Sequence, residues 1–315
     1  MLIDKGAVKG DTGRAPAHFY ESARAGMRDL LTRGPVPHDS RDGVLLPGYI
    51  GWSAREGSGV FDPVRESRRS FDFYRLHEDL SVDLDDLERA LATGRFQYVV
   101  VIRYFGRLNT DMRKVRELTD AVGAVLVEDL AHGFFSSMRT PAASAGHVAV
   151  YSLHKQFAMS DGGMVVYRDA ALLCDQRSTR PDLAAEVLSY DWTQISDLRR
   201  RNFELIRAEL IKRSHDGVTL MWPELEAGEV PQTLPVLLDS ADRDLVYEDM
   251  NAAGFGMVTL YHTLIAEARG KDATIERIAR TIINFPVHQD VDPRRIPALI
   301  AAFEAAVERR SGGKR

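Results

Sequence analysis

Cysteine is almost missing: the 315-residue chain has one, Cys174. A single thiol excludes a disulfide framework and any zinc or iron–sulfur site built from several cysteines. It favours a reducing compartment, so the cytoplasm is the expected location. Long apolar runs are missing as well. None approaches the roughly 20 residues that cross a bilayer, and the opening MLIDKGAVKGDTGRAPAHF has neither the apolar stretch nor the basic amphipathic face of a targeting segment. No membrane association is expected. Positive charge is not in excess either: 41 basic and 46 acidic residues give a net charge of -5, and their even spread leaves no electrostatic footprint for nucleic acid. The run Arg199, Arg200 and Arg201 reads as a solvated helix face. The nine histidines include no HExxH and no closely paired spacing, which weighs against a metal-dependent hydrolase built on Asp129, His132 and a further histidine.

What the chain does have is alternation of short apolar runs with amphipathic segments, the pattern of an α/β domain with a mostly parallel sheet. The apolar runs are GVLLPGYI (43–50), YVVVIRYF (98–105), AVLVED (124–129), HVAVYSL (147–153) and GMVVYR (163–168). Between them, HFYESARAGMRDLLTRG reads as a helix ending at Gly34 and VDLDDLERALATG as one starting near Asp83. NTDMRKVRELTDAVG reads as a helix capped by Asn109 or Thr110. After about residue 195 the texture changes to a long helix (ISDLRRRNFELIRAELIKR), a strand (VPQTLPVLL) and two further helices. The expected organisation is a large α/β domain over residues 1–195 and a smaller α+β domain over residues 196–315.

Two strand ends carry chemistry. AVLVEDLAHG ends a strand in Asp129, with His132 three residues on, at the carboxyl edge where ligands of parallel sheets sit. The competing reading of Asp129 is a turn cap. YSLHKQFAMSDGGMVV sets Lys155 after the next run, seven residues before the first of the paired glycines Gly162 and Gly163. If Lys155 and Asp129 face one pocket, they supply what pyridoxal phosphate requires: an amine for a Schiff base and a carboxylate that keeps the pyridine nitrogen protonated. Desolvation would disfavour the ammonium form of such a lysine. Ser22 and Ala23 fall near the start of the first long helix, where free amides and the helix dipole suit a phosphate, although Ser22 is equally a helix cap.

The order of these pieces resembles the DegT/DnrJ/StrS family of pyridoxal phosphate-dependent sugar aminotransferases. The resemblance runs through YESARAGMRDLL, VLLPGYIGWS, VEDLAHG, SLHKQFAMSDGGMVV and INFPVHQDV, over most of the chain. It implies the type I fold of aspartate aminotransferase: a mixed, mostly parallel central sheet flanked by helices, with a smaller C-terminal α+β domain. It also implies a homodimer with interface active sites, an amino acid donor such as glutamate, and a keto acceptor, usually a nucleotide-linked sugar. Carried over residue by residue, it makes Lys155 the Schiff-base lysine and proton shuttle, and Asp129 the partner of the pyridine nitrogen. His132 falls near the cofactor's phenolic oxygen. Ser152, with the amides of Ser22 and Ala23, would hold the phosphate; Tyr49 or Trp52 would stack on the ring; His262 would contact substrate or pack in the core. His154, as a strand neighbour of Lys155, is expected to point away from its pocket, and His288 to be structural.

The chain departs from the family in three places. Ser152 and His154 stand three and one residues before the lysine rather than five and three. The ring-stacking position falls on Gly51. Residues 170–198 are short and lack the family's Asn-Tyr-Arg pattern. These departures leave room for a non-sugar keto or aldehyde acceptor, or for a regulatory partner that keeps only the fold.

Overall fold

A computed structural model describes residues 16–34, 41–173, 177–213 and 216–311; Cys174 lies outside them. The main sheet has seven strands in the order β1-β7-β6-β5-β4-β2-β3: β1 (Ala17–Tyr20), β2 (Gly43–Pro47), β3 (Phe71–Tyr74), β4 (Phe96–Ile102), β5 (Val125–Asp129), β6 (Val148–Ser152) and β7 (Gly163–Tyr167). The run from β3 to β6 is parallel, whereas β7 is antiparallel to both β6 and β1. Every residue of β4, FQYVVVI, is buried, as a central strand covered on both faces requires. A smaller antiparallel sheet orders as β10-β9-β8, with β8 (Val218–Leu220), β9 (Thr233–Leu238) and β10 (Ile282–Pro286).

The helices are α1 (Ala23–Arg33), α2 (Phe61–Ser67), α3 (Leu84–Leu91), α4 (Met112–Ala121), α5 (Phe134–Arg139), α6 (Leu183–Ser189), α7 (Trp192–Lys212), α8 (Arg243–Ala252), α9 (Ala273–Thr281) and α10 (Ile296–Ser311). The small sheet shares its two faces between two cores by strand alternation. Val236, Leu238, Ile283 and Phe285 pack with Phe203 and Ile206 of α7 and Ile300 and Phe303 of α10. Leu237 and Ile282 instead join α9 residues Ile275 and Ile278 in the core of the large sheet.

Several local readings change. The segment read as one helix from His18 to Gly34 is β1 followed by α1. The AHFY run pairs antiparallel with β7, and the Ser22 side chain then caps α1 by accepting from the Ala25 amide. Helix α4 is capped by Asp111, not Asn109 or Thr110, because its carboxylate accepts from the Lys114 amide. The strands β3 and β10 had no sequence reading of their own.

Two features of this topology position a site. Between β2 and β4 the strand order reverses direction, so the carboxyl ends of these strands open a crevice at a topological switch point. The antiparallel β7 then brings its first residue, Gly163, opposite both Ser152 and Tyr20. The end of β6, the loop bearing Lys155 and the amino end of α1 therefore meet on one edge.

Gly163 explains half of the glycine pair. A Cβ there would lie 2.2 Å from the carbonyl carbon of Ser22 and 2.3 Å from the amide nitrogen of Ala23. Gly162, at φ +121°, is in a conformation that favours glycine, and its N–H donates to the Glu21 carbonyl. Gly163→Ala is expected to push α1 off the sheet and cost about 1–3 kcal/mol. Urea unfolding should show a lower midpoint at unchanged slope, and an unmoved midpoint would contradict the close approach.

Candidate active site

A cavity of about 650 Å³ opens at these carboxyl ends. It is walled by the loop after β2 (Ile50 to Val60), the start of α1, the turn after β5, the loop after β6, and residues 259–262 from the C-terminal half. Asp129, His132, Ser152, Lys155, Ser22, Ala23, Trp52 and His262 all line it. Sequence-distant groups are thus gathered in one space.

Lys155 lies on the turn directly after β6, its side chain open to the cavity. Its Nζ is 3.4 Å from Nε2 of His132. Loss of hydration at the cavity floor lowers the Lys155 pKa, opposed by the charges of Asp129 and Glu56 and reinforced by Arg24. Because the group keeps contact with solvent, this shift is that of a partly hydrated amine. His132 is buried, and its pKa falls well below the ordinary imidazole value through burial first, then the nearby charges of Lys155 and Arg199. The backbone N–H of Phe105 donates to His132 Nδ1 at 3.3 Å, so the neutral ring carries its proton on Nε2, facing Lys155. That tautomer can donate to Lys155 only when the lysine is a free amine.

Asp129 ends β5 and is nearly fully buried. Oδ1 accepts from the Ala131 amide at 2.8 Å, the only hydrogen bond to this carboxylate among the described residues. Burial raises its pKa, while the Ala131 N–H and Lys155 act in the other direction. A buried carboxylate so lightly solvated fits a cationic N–H donor, such as a pyridinium, in the cavity.

The α1 edge fits a phosphate. With Ser22 Oγ accepting from the Ala25 amide, the amides of Ala23 and Arg24 open the helix without an intrahelical partner. Across from them, Ser152 is buried with its Oγ 3.4 Å from His154 Nδ1. His154 does not point away, as strand alternation led us to expect. The strand ends at Ser152, so residues 153–155 form a turn that puts His154 and Lys155 in the same cavity.

Tyr49 does not line the cavity. It is fully buried, with its ring 5.4 Å from Tyr104 and 5.1 Å from Tyr261. Trp52 stands at the cavity wall, 42% exposed. His262 also lines the cavity, its Nδ1 held against the Thr259 carbonyl. His288 is exposed beside Asp290, away from this lining.

Arg199 corrects the sequence reading most plainly. It is 2% exposed rather than on a solvated face. Its guanidinium donates to the Gln156 carbonyl at 3.2 Å and to Gln232 Oε1 at 3.1 Å, and lies 5.5 Å over the Phe135 ring. Gln232 in turn donates to the Lys155 carbonyl at 3.1 Å, and Gln156 to the Ala131 carbonyl at 3.0 Å. Burial brings the Arg199 pKa down to about 10. This network, which joins the Lys155 turn to the Asp129–His132 turn, was missed because α7 is polar along most of its length. Only an arginine at a core-facing helical position could have signalled it.

The fold is the one shared by pyridoxal phosphate-dependent aminotransferases. It superimposes on DesV of S. venezuelae with a TM-score of 0.70 at 20% identity, covering 93% of this chain and 85% of that one. It superimposes on Helicobacter pylori PseC, an aminotransferase of pseudoaminic acid biosynthesis, with a TM-score of 0.74 at 14% identity, covering 94% and 88%. Residues 76–180 match the DegT/DnrJ/EryC1/StrS aminotransferase family, the family that the sequence resembles. A serine hydroxymethyltransferase of Hyphomonas neptunium is 30% identical over 141 residues, 41% of this chain. The chain spans about a third (32%) of that relative's length.

Proposed function

We propose that this protein is a pyridoxal phosphate-dependent aminotransferase, moving an amino group from an amino acid donor such as glutamate to a keto acceptor. The single observation that carries the reading is the convergence of Lys155, His132 and Asp129 in one cavity whose edge holds the open amides of α1. The family match over residues 76–180 supports the same class.

When bound, the cofactor supplies an aldehyde for an amine to condense with and a pyridinium ring that withdraws electrons from the carbon bearing the amino group. The chain's part is binding, orientation and proton movement. The amides of Ala23 and Arg24, with the hydroxyls of Ser22 and Ser152, bind the phosphate. Asp129 holds the proton at the pyridine nitrogen. His132, whose Nε2–H faces Lys155, would be the donor to the cofactor's phenolic oxygen. Lys155 would hold the cofactor and move the proton to and from the substrate carbon, a task suited to an amine whose pKa lies below the ordinary lysine value.

A nucleotide-linked keto-sugar is the acceptor we favour by family resemblance; the short 170–198 segment leaves room for a non-sugar keto or aldehyde compound as the second reading. We further propose a cytoplasmic homodimer with a large cofactor-binding domain over residues 1–195 and a smaller one after it. Among the described residues no helix is long and apolar enough to cross a membrane.

The test is a panel of amino donors added to the protein loaded with pyridoxal phosphate. Glutamate or another donor should shift the visible absorbance to the near-ultraviolet band of the pyridoxamine form, and a keto acid should restore it. A spectrum that no donor moves would rule out the aminotransferase reading.

A further inference from the structure

Among the described residues that line the cavity, Tyr261 is the only non-glycine one with a positive φ (58°), a conformation that bulky L residues avoid. Glycine at 261 would relieve it, so the position keeps a side chain at the backbone's expense, as strained residues at ligand sites do. The segment around it is tied down. The Trp52 N–H donates to the Thr263 carbonyl at 2.8 Å, the Ile265 N–H to the Ile50 carbonyl at 3.0 Å, and Gly51 bridges Leu264.

The tie puts Tyr261 over Gly51. A Cβ on Gly51 would lie 3.0 Å from Tyr261 Cδ1 and 3.1 Å from its Cα, so the tyrosine occupies the space where a side chain at 51 would stand. Its ring is then fixed by Tyr49 at 5.1 Å, Tyr104 at 5.3 Å and Phe105 at 5.8 Å, and meets His132 nearly edge-on at 5.7 Å. The side not covered by these aromatics belongs to the cavity wall, shared with Asp129, His132 and Lys155. Neither aromatic expected from the sequence has this placement: Tyr49 is sealed in the core behind Tyr261, and Trp52 is half exposed.

On the cofactor reading above, we infer that Tyr261 supplies the aromatic face against which the pyridine ring rests, delivered from the 259–263 loop into the gap left by Gly51. Position 51 and position 261 thereby compete for one volume, which makes the assignment testable by exchange.

The experiment measures the dissociation constant for pyridoxal phosphate by fluorescence quenching, with far-ultraviolet circular dichroism to confirm folding. Tyr261→Gly relieves the strained backbone and should fold, yet bind about tenfold more weakly for loss of the ring contact. Tyr261→Phe should bind within about twofold of the unmodified protein, because the face is kept. Gly51→Tyr alone should weaken binding by crowding Tyr261, whereas Gly51→Tyr with Tyr261→Gly should recover most of the lost affinity. Unchanged affinity in Tyr261→Gly, a Phe variant as weak as the Gly variant, or a double variant no tighter than Tyr261→Gly would each overturn the assignment. Failure of the unmodified protein to bind would overturn the cofactor reading itself, which separates the two failures.

Discussion

A Lys155→Ala protein is expected to show no visible absorbance band with pyridoxal phosphate and to lose transamination by roughly 10⁴-fold or more. Among the described residues Lys155 is the only lysine on the cavity wall, so none of the others can take its place. The loss has two physical parts. Attachment of the cofactor disappears with the amine, and so does the group positioned to move the substrate proton. Lys155→Arg separates charge from nucleophilicity: it keeps a cation near Asp129 but stays protonated at any working pH, so it too should be inactive. Borohydride added to the loaded, unmodified protein should fix the pyridoxyl group on the peptide containing Lys155. A label on any other lysine would refute the role proposed for it. Folding should survive, because among the described residues Lys155 Nζ makes only one long hydrogen-bond contact, to His132, and the turn is held through backbone carbonyls by Arg199 and Gln232.

What the sequence made legible follows from which forces are local. The runs at 43–50, 98–105, 124–129, 147–153 and 163–168 became strands because buried parallel strands advertise themselves as continuous apolar residues. The cavity residues at strand ends, Asp129 and Lys155, were found by the same logic, since the carboxyl edge of a parallel sheet is where such side chains gather. β1 escaped because AHFY has no signal apart from its partner β7, and a short edge strand is stabilised by pairing rather than by its own pattern. His154 was misplaced by extending strand alternation past the last strand residue. Arg199 and Tyr261 escaped for a deeper reason. The burial of Arg199 depends on carbonyls of residues 155 and 156 and on Gln232, all far away in sequence. The place of Tyr261 depends on a volume vacated at position 51. Neither relation has a period or a spacing to read.

Asp129→Asn should leave a folded protein that still binds pyridoxal phosphate but turns over roughly 10²–10⁴-fold more slowly. The change is nearly isosteric, and the amide can orient its oxygen to accept from the Ala131 N–H. What it cannot do is present a negative charge to a ring nitrogen, so nothing keeps that nitrogen protonated and the ring draws electrons poorly. Stability separates this role from a structural one. Burial raises the Asp129 pKa because its charge is poorly solvated in the cofactor-free protein, and removing that charge should hold or raise the melting temperature of the cofactor-free form, as at sites where function costs stability. The gain in melting temperature on adding cofactor should shrink, since ligand stabilisation scales with the logarithm of affinity. If Asp129 were instead only a turn cap, Asp129→Asn would keep the bond from the Ala131 N–H and leave that gain intact. A gain that shrinks on one reading and stays intact on the other makes differential scanning calorimetry, with and without pyridoxal phosphate, the deciding measurement.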